Sequence, residues 1–277
     1  MSGYHKVAVA GATGNLGPAI VEQLVKANLS VTILSQSGNT SSLPSSVKTV
    51  KVDYKSSDSL ISALAGQEAV VSLLPDHGSQ PALIDAAIAA GVKLFIPSEF
   101  GADIDNAKAA ALPLFTGKAI TQKYLRERTD QISHTFVRCS LFLDWGLMVG
   151  FLAKKSGPTP IFDGGDVKIS TTLLSDVGKA VVNSLNNPDA TKNRAVYIQS
   201  TSISQNEVLR IAKEKNPDFK AEIEHVSTSD LLAKIEQAKK DGTSFEGNGV
   251  MDQLNVASEW TGGQKTCSGP SFPLEPC

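Results

Sequence analysis

Short apolar runs alternate with amphipathic segments through the first half of the chain. Each run is continuously apolar, which is typical of strands buried on both faces of a parallel sheet. The predicted strands are Lys6–Ala10, Val31–Leu34, Val47–Val52, Ala69–Leu74, Lys93–Ile96 and Thr135–Cys139. The segments between them predict helices over Asn15–Ala27, Ser57–Leu64, Ser79–Ala90 and Phe115–Arg128. Strands that alternate with helices in this way predict an α/β fold built on a doubly wound parallel sheet.

Three glycines join the first predicted strand to the first predicted helix in the segment "GATGNLG". Gly11 allows a tight turn, Gly14 lets the main chain approach a pyrophosphate, and Gly17 lets the helix pack closely on the sheet. The helix N-terminus adds N–H donors and a partial positive charge, which favour an anion. Thr13 can donate a hydroxyl hydrogen bond, and Asn15 occupies the expected helix-cap position. A flexible turn with incidental glycines is the alternative to a dinucleotide site. The predicted phosphate-binding residues are Gly11, Thr13, Gly14, Asn15, Leu16 and Gly17.

The residues at the end of the second predicted strand indicate which dinucleotide binds. An NAD site usually presents Asp or Glu to the ribose 2′-hydroxyl there, whereas this chain has Ser35, Gln36 and Ser37. These hydroxyl and amide groups can hold a 2′-phosphate, although more weakly than an arginine would. We therefore predict NADPH in preference to NADH, with Asp53 and Tyr54 against the adenine. A polar surface loop without a ligand is the alternative interpretation.

The pattern becomes irregular after about Gly146, and Gly and Pro collect in "SGPTPIFDGGD". The predicted elements beyond it are a strand over Arg194–Gln199 and helices over Gln205–Lys215 and Ser229–Lys240. The last residues are rich in Gly, Ser and Pro, which is typical of an extended tail. We predict an NAD(P)-binding domain over 1–146, a smaller substrate-binding portion over 147–262 that can share the sheet, and a tail over 263–277.

The composition of the chain argues against several classes of function. The chain has 277 residues, of which 41% are hydrophobic and 19% charged, as in ordinary globular proteins. Its net charge of -2 gives no indication of nucleic-acid binding, and no apolar run is long enough to cross a bilayer. Three cysteines form neither a disulfide framework nor a metal-ligand spacing, so no metal is predicted. We expect a cytoplasmic monomer or homodimer that binds a small molecule, and neither nucleic acid nor a membrane.

Four segments resemble the NmrA-like, isoflavone reductase-like branch of the atypical short-chain dehydrogenases, in its fungal form. They are "GATGNLG" (11–17), "FIPSEFG" (95–101), "GKAITQKYLRE" (117–127) and "FVRCSLFLDW" (136–145). Their order and spacing match the family's and they lie within residues 5–200. The resemblance implies a Rossmann domain that binds NADPH. It also implies a reductase of phenylpropanoid-, polyketide- or alkaloid-like compounds in secondary metabolism.

The resemblance assigns the catalytic role to Lys118. A lysine under apolar cover beside a nicotinamide can exchange protons near neutral pH, whereas most lysines are simply solvated. The resemblance also implies further cofactor contacts at Leu74, Pro75, Ser98, Phe100 and Lys118, and a substrate pocket lined by Phe100, Phe142 and Trp145. Large aromatic residues are more often plain core. We interpret Glu99 as a member of a structural ion pair and His134 as a structural residue.

The Tyr-x-x-x-Lys pair of ordinary short-chain dehydrogenases is missing, so a reductase on this chain relies on Lys118 or on the acidity of its substrate. The family commonly has an arginine where this chain has Gln36, which leaves the preference for NADPH open. A dinucleotide-sensing regulator is one alternative function, although such sensors generally lack the lysine found at Lys118. A biosynthetic enzyme that uses the same pocket for a non-redox step is another.

Overall fold

The structure is a computed structural model and describes residues 3–75, 77–150, 152–154 and 157–241. Its strands in chain order are β1 (Lys6–Ala10), β2 (Ser30–Ser35), β3 (Lys48–Lys51), β4 (Ala69–Ser72), β5 (Leu94–Ile96), β6 (Ser133–Arg138), β7 (Leu141–Phe142), β8 (Thr159–Phe162), β9 (Ile169–Thr172), β10 (Arg194–Tyr197), β11 (Thr201–Ile203) and β12 (Ile223–Val226). Its α-helices are α1 (Gly17–Lys26), α2 (Ser57–Leu64), α3 (Gln80–Ala89), α4 (Ala107–Ala110), α5 (Thr116–Arg126), α6 (Leu143–Val149), α7 (Leu174–Asn186), α8 (Pro188–Thr191), α9 (Gln205–Lys215) and α10 (Thr228–Lys240). None of these helices combines the length and the apolar content needed to cross a membrane.

A parallel sheet of seven described strands forms the centre, in the order β10-β6-β5-β4-β1-β2-β3. The strand order reverses between β1 and β4, and ligands of doubly wound sheets bind in the crevice at that point. The Rossmann-type fold class is thus confirmed. Smaller sheets, β11-β9-β7 and β12-β8, lie in the part of the chain that follows β6.

Both faces of the central sheet are buried, as its continuously apolar strands predict. In β1, Val7 and Val9 belong to the core beside α1 and α7, whereas Ala8 and Ala10 belong to the core beside α2 and α3. All four residues are fully buried. Because helices cover both faces of the sheet, ligands reach it at the carboxyl ends of the strands, and the predicted site residues lie at that edge.

The helix α7 is not predicted from the sequence, yet it covers the sheet together with α1. Its Val177, Val181 and Leu185 recur at helical spacing and are fully buried. Gly178 obscures this helical pattern in the sequence because glycine disfavours helices. The close packing of α1 requires a glycine at this position, since a Cβ on Gly178 would lie 2.9 Å from the Ala19 carbonyl oxygen. The spacing of the three apolar residues is the signal that could have revealed the helix.

Residues beyond 146 contribute to the central sheet, since β10 pairs in parallel with β6. The register joins Arg194 to Thr135 and Tyr197 to Arg138. The boundaries at residues 146 and 262 remain predictions. The predicted tail over 263–277 lies outside the described residues.

Candidate active site

Two glycines of the turn after β1 are required by the fold itself. Gly11 has a φ of +79°, and a Cβ there would lie 2.7 Å from the Leu73 carbonyl oxygen. A Cβ on Gly17 would overlap the Ala12 carbonyl group. The conformational roles predicted for these two glycines are confirmed: one makes the turn and the other lets α1 pack closely.

The fold itself does not require the third glycine, Gly14. A Cβ there would meet only the Gly11 carbonyl oxygen, at 3.5 Å, which is an ordinary contact. The Gly14 N–H donates to that same oxygen at 3.2 Å, so what this glycine offers a ligand is space rather than a donor. In the described part of the chain, the N–H groups of Thr13, Asn15 and Leu16 have no hydrogen-bond acceptor. Open space beside a row of main-chain donors fits a pyrophosphate.

The prediction that Asn15 caps α1 is wrong. The helix begins at Gly17, and its N-cap residue is Leu16, whose side chain is buried in the core and makes no capping hydrogen bond. The side chain of Asn15 is exposed. Pro18 explains the arrangement, because it fixes a helical φ in the first turn and has no N–H for a cap to accept. Without a side-chain cap, the donors at this helix end stay available to a ligand.

A cleft of about 370 Å³ connects the glycine turn to the ends of β2, β3 and β4. The predicted residues that line it are Gly11, Thr13, Ser35, Gln36, Ser37, Tyr54 and Leu74. Ala12, Ile33 and Leu34 also line it and were missed, because apolar residues within or beside a strand look like plain core. Their position in the glycine turn and in the second half of β2 is the signal that could have found them.

Two hydroxyl groups that line this cleft can still donate a hydrogen bond. Ser35 Oγ accepts the Gly38 N–H at 3.0 Å and Ser37 Oγ accepts the Asn39 N–H at 3.1 Å. Accepting a bond leaves the hydroxyl hydrogen able to donate to another group. None of the described residues that line the cleft is Lys or Arg. The cleft therefore presents neutral donors where the family commonly presents an arginine.

Tyr54 forms a wall of the cleft. Its hydroxyl donates to the Leu34 carbonyl at 3.0 Å, and burial raises the pKa of this phenol to about 12. The ring is thereby fixed as a neutral surface, which suits an adenine. Asp53 and Pro75, two other predicted cofactor contacts, are exposed and do not line the cleft.

Lys118 lies in the first turn of α5, at the carboxyl edge of the sheet. It is half-buried, and its Nζ donates to the Glu99 carbonyl oxygen at 3.0 Å. The ammonium group also lies 5.8 Å from the centre of the Phe115 ring, within the range of a cation–π contact. A Cβ on Gly101 would lie 3.4 Å from the same nitrogen. The segment after β5, which includes Ser98 and Phe100, thus passes beside Lys118.

The predicted substrate-pocket aromatics belong partly to the core. Phe100 and Phe142 are half-buried and pack against the core beside α1 and α7. Phe142 and Trp145 make an edge-to-face contact, with ring centres 6.3 Å apart. Neither these aromatics nor Lys118 line the cleft at the glycine turn, so a pocket that includes them stays a prediction.

Two interpretations of polar residues are confirmed. The Glu99 carboxylate is fully buried and forms an ion pair with Arg138, 2.6 Å apart. His134 is buried, its ring centre lies 4.5 Å from that of Phe136, and burial lowers its pKa to about 4. Both residues are part of the interior of the fold.

Comparisons with known proteins agree with this architecture. The model of the NmrA-like family matches residues 4–275. Oxidoreductase aprR of Aspergillus flavus is 37% identical over 213 residues, which cover 74% of this chain and 71% of that protein. Isoflavone reductase homolog A622 of Nicotiana glauca is 27% identical over 253 residues, covering 84% of this chain and 80% of that protein. The structure of AtPrR2 with NADP+ and (+)pinoresinol superposes with a TM-score of 0.74 and 25% identity, covering 93% of this chain and 86% of that one. The chain therefore belongs to the NmrA-like family, in its isoflavone reductase-like branch of oxidoreductases.

Proposed function

We propose that the chain is an NADPH-dependent reductase of a conjugated or aromatic small molecule in secondary metabolism. The observation that carries this proposal is the place of Lys118. Its Nζ is held on the Glu99 carbonyl at the carboxyl edge of the sheet, where ligands of doubly wound folds bind. AtPrR2, a similar protein, holds NADP+ together with a small molecule in its structure, which supports the same pair of ligands here.

In this proposal, one group of residues binds the cofactor and Lys118 transfers the proton. The N–H groups of Thr13, Asn15 and Leu16 bind the pyrophosphate, and the cleft that Tyr54 walls receives the adenosine. NADPH, when bound there, would supply the hydride for an unsaturated carbon of the substrate. Lys118 delivers the matching proton from its ammonium group and recovers it from water, so the substrate gains two hydrogens in all.

The aromatic side chains favour a planar, conjugated substrate. Phe100 follows β5, and Phe142 and Trp145 lie in β7 and in the helix after it; all three residues are half-buried. Rings of this kind stack on flat apolar molecules and exclude water from a site. Lys118 lies beside the segment that carries Phe100, and we assign it the donation of a proton to such a substrate.

The proposed preference for NADPH over NADH rests on hydroxyl and amide donors. Ser35, Gln36 and Ser37 line the cleft at the end of β2, and no acidic side chain stands among the lining residues described there. A carboxylate would repel a 2′-phosphate, whereas neutral donors bind it. We therefore expect a smaller preference than an arginine at this position would produce.

The substitution Lys118→Ala tests the proposed function. We expect turnover to fall roughly 10²–10⁴-fold, the usual contribution of a general acid or base. NADPH affinity should change by less than about tenfold, because main-chain donors hold the phosphates. Lys118→Arg should not restore turnover, since a guanidinium does not release its proton near neutral pH. Steady-state NADPH oxidation over a panel of conjugated phenolic and polyketide-like compounds measures turnover, and calorimetry measures affinity.

Lys123→Ala is the matched control, because it removes the same charge from the exposed face of α5. Full turnover in Lys118→Ala would remove Lys118 from the mechanism. Tight NADPH binding by the wild-type protein without oxidation on any compound of the panel would contradict the reductase and favour a sensor or a non-redox enzyme.

A further inference from the structure

Glu99 is contacted twice by one face of α5. Lys118 Nζ donates to its main-chain carbonyl at 3.0 Å, and the side-chain amide of Gln122 donates to its carboxylate oxygen Oε2. Residues four apart lie on the same face of a helix, so a single helix face holds both the main chain and the side chain of this residue. Glu99 is fully buried and Gln122 is buried.

Arg138 holds the same carboxylate from β6. Its Nη1 lies 2.6 Å from Glu99 Oε2, and only 2% of the residue is exposed. The main chain of Arg138 forms a parallel bridge with Gly101, two residues after Glu99. Asp103 lies 3.8 Å from Arg138 Nε and accepts a hydrogen bond from the Tyr197 hydroxyl. The segment after β5 is thus fastened through side chains and main chain together.

A buried ion pair is a costly way to fasten a segment if stability is its only purpose. Both charges lose their hydration, and apolar residues of similar volume often stabilise a protein as well or better. In the described part of the chain, Glu99 Oε1 and two nitrogens of Arg138, Nε and Nη2, have no hydrogen-bond partner, which adds to this cost. Hydrogen bonds are directional, so they fix the orientation of the groups they join, whereas apolar contacts do not.

We propose that Glu99, Gln122 and Arg138 are positioning residues for Lys118: they fix the Glu99 carbonyl, and that carbonyl fixes the ammonium group. The proposal rests on the proposed function in taking Lys118 as the residue that transfers the proton. Its structural content, the restraint of Lys118 through Glu99, is independent of any substrate.

The reactivity of the lysine amines in the ligand-free protein tests the restraint directly. The protein is labelled with a trace of acetic anhydride at mildly alkaline pH, and the label on each lysine is quantified by peptide mass spectrometry. Gln122→Met keeps the volume of the side chain and removes its donor. We expect labelling of Lys118 to rise by at least about threefold, as for the loss of one supporting hydrogen bond. Labelling of the exposed Lys123 on the same helix should stay unchanged.

Steady-state kinetics of the same variant distinguish a positioning role of Gln122 from a purely structural one. We expect kcat of Gln122→Met to fall roughly tenfold, the kind of loss that follows a small misplacement of a catalytic group. KM and the dissociation constant of NADPH should stay within about twofold, because main-chain donors at the glycine turn hold the phosphates. A general loosening of the fold would change all three quantities and the labelling of Lys123 as well.

Unchanged labelling of Lys118 in folded Gln122→Met would overturn the proposal. If that variant does not fold, as judged by its melting temperature, Glu99→Gln takes its place under the same criterion. If the wild-type protein reduces no compound, the proposed function fails, but the labelling still decides whether Lys118 is restrained through Glu99. The two failures are therefore distinguishable.

Discussion

Gln36 lies in the cleft where the ribose 2′ position of a dinucleotide is expected, and it is a neutral amide with an exposed side chain. Gln36→Arg places a permanent charge there, which replaces a neutral hydrogen bond by a charge-assisted, bidentate one. We expect the ratio of NADPH to NADH affinity to rise by about tenfold, and calorimetry with both cofactors measures it.

The control is Asn39→Arg, which adds the same charge three residues further along the loop, at a position that does not line the cleft. It should leave the ratio nearly unchanged, because a screened charge at a distance attracts both cofactors similarly. Equal affinity ratios in Gln36→Arg and the wild-type protein would show that this loop does not face the 2′-phosphate.

At the scale of elements, two glycines of the β1–α1 turn are needed for different reasons. Gly17 is required for the packing of α1 on the sheet, whereas the packing of the protein does not require a glycine at position 14. A side chain at Gly14 would occupy the space beside the main-chain donors, so its effect should fall on the ligand and not on the fold.

We expect Gly14→Val to abolish NADPH binding while its melting temperature stays close to that of the wild-type protein. Gly17→Ala, the matched variant, should instead lower the free energy of unfolding by roughly 1–3 kcal/mol or more, because its Cβ overlaps the Ala12 carbonyl. Calorimetry and thermal unfolding of both variants make the comparison. Undiminished NADPH affinity in Gly14→Val would remove the dinucleotide from this turn.

At the scale of the whole molecule, His134 links the stability of the fold to pH. Burial, with a smaller repulsion from Arg126, lowers the pKa of His134 from 6.5 to about 4. The histidine is therefore neutral in the folded protein between these two values, whereas the unfolded chain takes up a proton there. Because the unfolded state binds more protons, the free energy of unfolding falls as the pH drops from about 6.5 towards 4.

We expect the wild-type protein to lose about 2 kcal/mol more stability between pH 7 and pH 5 than His134→Phe does, a figure that follows from the two pKa values. Phenylalanine keeps an aromatic ring against Phe136 and takes up no proton. Urea unfolding at both pH values measures the loss, and His225→Gln, at an exposed position on β12, serves as the control. Equal losses in the wild-type protein and His134→Phe would refute the assignment.

The sequence by itself determined the strands of the sheet as far as β6, the glycine turn and the family. These features are local: apolar runs, helical spacing and "GATGNLG" each depend on residues a few positions apart. It also predicted that Glu99 belongs to a structural ion pair. The residue roles at the site remain predictions for the experiments above.

The tertiary structure alone decided which groups meet. Arg138 pairs with Glu99 across 39 residues of sequence, and α5 brings Lys118 and Gln122 to the same residue. It likewise placed the N-cap of α1 at Leu16 and not at Asn15, where Pro18 enters the first turn of the helix and the leucine side chain packs in the core. Local pattern cannot specify such choices, since packing between elements far apart in the chain selects the partner of each buried polar group.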